Sequence, residues 1–129
     1  MANASPPTIG QVLTATSPTN AIWQTQGAEA VNPQTGTTYK FVLTDAYKLI
    51  TFDNVNPVAV TIDTNANVAF SIGTRIDCVQ VGVGKVTFGG GGVTINSKNG
   101  NTSIGGQWSA VTLIKMATDT WLLLGDLIA

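Results

Sequence analysis

From Thr38 onward the chain is a succession of short β-branched runs, each closed by glycine, Asx or proline, and this pattern constrains the fold more than any other feature. Residues 39–44 alternate, with Tyr39, Phe41 and Leu43 on one face. Runs at 48–53, 58–62, 68–72 and 75–81 follow, divided by Asp53-Asn54, Asn56-Pro57, the Asx cluster at 63–67, and Gly73. Runs at 85–88, 93–95, 110–116 and 120–124 complete the series, the last two joined by a tight turn at Thr118-Asp119. No segment holds a 3.6-residue apolar period, so almost no helix is expected. About nine short strands at this spacing specify an all-β domain over 38–129, a single antiparallel β-sandwich or β-barrel. The glycines at 89–92 are poor strand-interior residues and predict a turn or a close approach between chains.

Residues 1–37 are different. They carry Pro6, Pro7, Pro18 and Pro33, many Thr, Asn, Gln and Ser, and sparse apolar residues. Such a segment cannot bury a core of its own and reads as an extended N-terminal arm held by a partner surface. Leu13, Ile22 and Trp23 are its candidate anchors, Trp23 first, because a large aromatic entering a partner pocket tends to dominate binding. Trp121 lies within an apolar run and is expected in the core, whereas Trp108 suits either core or interface.

Composition narrows the function. Only 10% of the 129 residues are charged, well below the roughly 25% of an average soluble domain. The net charge is −1, and Lys40, Lys48, Arg75, Lys85, Lys98 and Lys115 are scattered, which argues against a nucleic-acid partner. The apolar run at 121–124 is too short to span a bilayer, and residues 1–10 show no secretory signal pattern, so assembly in a cytoplasm is expected. With no histidine and one cysteine, the chain offers no disulfide and no Ser/His or Cys/His pair. Cys78, in a strand, reads as a small buried hydrophobe.

Motifs with chemical potential are weak. Asp63, Asn65 and Asn67 match the start of a calcium loop, but Val68 stands where glycine is needed and Thr74 where the bidentate glutamate belongs, so an Asx-rich turn is expected. Gly84-Lys85 is similar to the end of a phosphate loop, but Val79 and Val86 occupy its defining first-glycine and Ser/Thr positions. The acidic residues Glu29, Asp45, Asp53, Asp63, Asp77, Asp119 and Asp126 fall mostly at turns and strand ends, the places of turn formers rather than of a glycosidase pair. No catalytic residue, metal or cofactor is expected.

The stretches DAYKLI (45–50), VAFSIGTRI (68–76), GVGKVTF (82–88) and TDTWLLLGDL (118–127), in that order, resemble a β-domain found at the C-termini of tailed-bacteriophage virion proteins of head-decoration, head-fibre and tail-fibre type. GQVLTATSPTNAIWQ (10–24) is similar to the segment that often precedes such domains. The resemblance implies a non-enzymatic homotrimer located in the virion. The expectation is therefore a capsid decoration (cement) or head-fibre protein whose arm binds the major capsid protein, with β-augmentation as the mode of attachment. The alternative is a tail-fibre or tail-tip module that binds a host surface glycan through the polar loop at 97–106, where Lys98, Asn99 and Asn101 are the candidate residues.

Overall fold

The computed structural model describes residues 11–17, 20–25 and 30–129, with side chains from residue 30 onward. Strands β1 (Gln11–Ser17) and β2 (Asn20–Thr25) pair antiparallel as a two-stranded sheet. From β3 (Val31–Gln34) the chain enters a body of two sheets. It runs through β4 (Thr38–Lys40), β5 (Leu49–Phe52), β6 (Val58–Thr61), β7 (Arg75–Gln80), β8 (Val86–Gly89), β9 (Thr94–Ser97) and β10 (Ser103–Ile104). It ends with β11 (Ala110–Ala117), β12 (Thr120–Gly125) and β13 (Leu127–Ile128).

The all-β expectation holds, but the sheets are mixed rather than antiparallel. From β3 to β10 consecutive strands alternate between the two sheets, so each circuit of the chain returns one strand further along. That makes β3, β5 and β7 parallel neighbours in the first sheet and β4, β6 and β8 parallel neighbours in the second. A parallel pair needs a long crossover, commonly a helix; here a strand of the opposite sheet serves instead. Alternating burial therefore carried no information on strand direction, because each sheet still buries one face only. The antiparallel β11–β12 hairpin closes on β7 through its first strand, and β9 adds in parallel to the far side of β12. Its two-residue turn is at Thr118-Asp119 as expected, with Asp119 at φ 52°. The second sheet finishes with β10 and β13, both antiparallel.

The core lies between the sheets. Ile50, Phe52, Ile76, Cys78, Leu113, Trp121 and Leu123 face Phe41, Val58, Val60, Val86, Phe88 and Ile104. Trp121 and Cys78 are buried as the sequence predicts.

Three expectations change. The 39–44 run is a strand only to Lys40, then a 3-10 turn at Leu43–Asp45 that leaves Leu43 exposed. The 68–72 run is not a strand. It is a lid of local turns whose Phe70 plugs one end of the core, edge-on to Trp121 at 5.5 Å. Buried Lys115 of β11 fixes that lid, its ammonium donating to Asn65 Oδ1 (2.5 Å) and to the Phe70 carbonyl (2.7 Å). Finally, Val31–Gln34 belongs to the first sheet although the composition break falls at residue 37. Its outer edge is blunted by Pro33: Ala30 and Gln34 bond inward to β5, so the proline's missing N–H is on the free side.

Asp45 holds this first circuit together. It is wholly buried and accepts hydrogen bonds from Asn32 Nδ2 (2.9 Å), Tyr39 Oη (2.7 Å) and the Val42 amide (2.9 Å). Burial, reinforced by the bond to Asp45, pushes the Tyr39 phenol up from 10.0 to about 12. A raised folded value means that this contribution to stability is complete below pH 10 and is lost as the pH climbs towards 12. In an alkaline titration followed by phenolate absorbance, Tyr39 is expected to ionise near pH 12, a step that Tyr39→Phe removes. Superimposable titrations of the two proteins would contradict this.

Candidate functional site

Two surface features stand out, one apolar and one polar. The first is a corner of the body where the turns that follow β5 and β7 stack. The offset that aligns Leu49 with Asp77 also aligns Val58 with Val86, so the intervening turns at 53–57 and 81–85 lie in register. Their contact is backbone on backbone: Gly84 N–H donates to the Asn54 carbonyl at 2.8 Å, and Gly82 N–H to the Phe52 carbonyl at 3.0 Å. A Cβ at either glycine would overlap the backbone of Asn54 or Asn56, which explains the Gly-Val-Gly spacing.

This close approach leaves the valines between the glycines and between the asparagines to project outward. Val55 is 76% exposed and Val83 64%. Trp108 joins them, 69% exposed, on the turn that leads into β11. Its amide donates to the Gln80 carbonyl (2.6 Å), and Gln107 Nε2 donates to the Val81 carbonyl (3.0 Å), so the turn is pinned to the end of β7. Trp108 sits at φ 66°, a left-handed conformation that disfavours bulky side chains and persists only where its surroundings impose it. Among the described residues Tyr47, 63% exposed at φ 61°, is the other exposed aromatic held in this conformation. Apolar exposure is not confined to these turns: Tyr47, Ile72 and Met116 lie on segments joined by the Tyr47-to-Arg75 and Gly73-to-Lys115 backbone bonds, and Val31, Val42, Leu43, Leu124 and Ile128 are exposed as well.

The second feature is an open cavity of about 400 Å3 lined by Lys98, Asn99, Asn101, Leu124, Gly125, Asp126 and Leu127. The 3-10 turn Lys98–Gly100 forms one wall and the link between β12 and β13 the other. Parallel pairing of Ser97 with Leu123 sets Lys98 beside Leu124. Asn99, at φ 60°, adopts a left-handed conformation that asparagine tolerates.

No family model matches the chain, and no curated protein matches it. The functional reading therefore rests on the residues themselves.

The three loop residues singled out in the sequence, Lys98, Asn99 and Asn101, come together around this cavity. The side chains of Leu13, Ile22 and Trp23 lie outside the described residues; their backbones are adjacent in the β1–β2 hairpin, where Leu13 pairs with Trp23 and Thr14 with Ile22. The calcium-like Asp63 is engaged within the protein: it bridges Lys40 at 2.9 Å and accepts from Asn67 Nδ2 and the Thr64 amide. Those partners, Asn67 first, pull its carboxyl down to about 2. Among the described residues no three His, Cys, Asp or Glu side chains cluster as a metal site would require. Sequence reasoning missed Val55, Val83 and Asp126. The signal for the valines was present: Asn-Val-Asn and Gly-Val-Gly place an apolar residue at a turn that needs none.

Proposed function

We propose that the chain is a structural protein of a tailed-phage virion, a capsid decoration or head-fibre protein that self-associates through its two-sheet body and attaches through its N-terminal segment. The observation that carries this reading is the rigid apolar corner of Val55, Val83 and Trp108. Such a corner is covered when copies of the chain meet there, and the homotrimer is the assembly that the resemblance to phage virion proteins implies. Exposed tryptophan is the residue type most often found at such hot spots.

Attachment falls to β1 and β2. A two-stranded ribbon alone is marginally stable in water, and it gains most by docking on a partner, here the major capsid protein. Leu13, Ile22 and Trp23 supply the apolar contact, and three copies in a trimer multiply a weak single contact.

The test is removal of residues 1–29, not 1–37. The longer deletion would take away β3 and Asn32, which hold Asp45. The truncated protein is expected to fold, to keep its oligomeric state and to lose binding to purified capsids. Undiminished capsid binding would overturn the assignment of attachment to this segment.

A further inference from the structure

The contact between Lys115 and the lid has a chemical side that the attachment reading leaves unused. Lys115 is 2% exposed, yet its ammonium donates to two neutral oxygens, Asn65 Oδ1 at 2.5 Å and the Phe70 carbonyl at 2.7 Å. The ion pairs of the described residues, Lys40–Asp63 and Arg75–Asp77, do not include it. A buried cation without a counter-ion is costly to keep. Its surroundings are apolar: it pairs with Trp121 across β11 and β12, and Phe70 stands edge-on to that indole at 5.5 Å. With a carbonyl bond of about 1.2 Å, the contact to Oδ1 sets Nζ within about 3.7 Å of Asn65 Cγ. Asn65 is held from its backbone as well, its amide donating to Asp119 Oδ1 at 2.6 Å. Its Nδ2 makes no hydrogen bond among the described residues, and the residue is only half-buried.

An amine, an amide carbon at near-attack distance and an unbonded amide nitrogen with a route to solvent are the parts of an intramolecular aminolysis. We propose that Lys115 and Asn65 join as an isopeptide bond, a covalent staple between β11 and the lid. The Nζ–Cγ bond forms and the Cγ–Nδ2 bond breaks; the amine passes one proton to Nδ2, which leaves as ammonia. The proton that Lys115 sheds to become a free amine departs with it as ammonium, and the step is redox-neutral. An amide is a poor electrophile in water, but reactants fixed at this separation gain effective molarities of roughly 10⁵–10⁸ M. Amide formation also removes the buried charge. The joined residues are 50 apart in the chain, so the staple constrains the chain as a disulfide would. The single cysteine can form no such link within the chain.

The test is intact-mass spectrometry of the purified full chain, fresh and after days at neutral pH, beside Lys115→Met and Asn65→Ala. The parent is expected to be one ammonia lighter than its sequence, and both variants to keep their full mass. In a tryptic digest of the parent, residues 49–75 are expected to be joined to residues 99–129, uncleaved after Lys115 because trypsin does not cut at an acylated lysine. A parent that keeps its full sequence mass after incubation overturns the proposal. So does an ammonia loss that maps elsewhere, such as a succinimide at Asn99-Gly100, or one that persists in Lys115→Met. The parent's mass and its linked peptide decide the question even where a variant fails to fold. None of these readouts depends on capsid binding or self-association.

Discussion

Asp45→Ala is expected to destabilise the protein by about 2–4 kcal/mol, through the loss of hydrogen bonds to a buried carboxyl group. Asp45 is fully buried, and three donors converge on it: Asn32 Nδ2, Tyr39 Oη and the Val42 amide. Alanine removes the acceptor that all three share, leaving Asn32 Nδ2 only its bond to Tyr39 Oη (3.0 Å), and an unsatisfied buried donor costs about 1–3 kcal/mol. The donors come from β3, from β4 and from the residue just before the 3-10 turn, so the first circuit should loosen as a unit. Asp45→Asn keeps the shape and one acceptor oxygen, and its loss should be smaller. Urea denaturation of the two variants beside the parent checks this ordering; a loss under about 1 kcal/mol for Asp45→Ala would contradict the hub role.

Trp108→Ala is expected to abolish self-association while leaving the subunit folded. Truncating a tryptophan at a hot spot typically costs 2 kcal/mol or more per contact. A closed trimer loses three such contacts, about 6 kcal/mol, which weakens assembly by roughly four powers of ten. The subunit itself should not suffer. Trp108 is 69% exposed, and its left-handed backbone is strained, so removing the indole costs little core packing. Val83→Asp, which sets a charge on the same corner without touching the Gly82 and Gly84 contacts, should act in the same direction. Circular dichroism of both variants checks that the fold is retained, and sedimentation equilibrium reads the change in association.

How far the fold could be read in advance depended on what local pattern encodes. Alternation in Val58–Thr61 and Arg75–Gln80 reported which residues face the core, and the β11–β12 turn was marked by its residues. Strand direction was not so marked, because parallel neighbours here are separated by a strand of the other sheet. The pairing of Val58 with Val86 is set by a whole circuit of chain. The 68–72 run misled because its alternation serves a plug, Phe70 against Trp121, rather than a ladder. Val31–Gln34 was hidden by Pro33, a residue that fits a strand only on a free edge. Nothing in the sequence set Lys115 apart from the other scattered basic residues, since only the folded lid brings Asn65 and the Phe70 carbonyl to its ammonium.

Of the surface, Lys98, Asn99 and Asn101 were marked by a polar glycine-rich loop, yet Asp126 completes their cavity from the other end of the domain. The Val55–Val83 ridge needed the stacking of two turns to be visible.

The central claim is that copies of this chain meet at the Val55, Val83 and Trp108 corner. The most direct measurement is the solution mass of the full chain by multi-angle light scattering over a range of micromolar concentrations, beside Trp108→Ala and Tyr47→Ala. The expected result is a trimer mass for the parent and for Tyr47→Ala, whose exposed ring lies away from the corner, and a monomer mass for Trp108→Ala. A monomeric parent at every concentration, or a trimer that survives Trp108→Ala and dissociates in Tyr47→Ala, would contradict it.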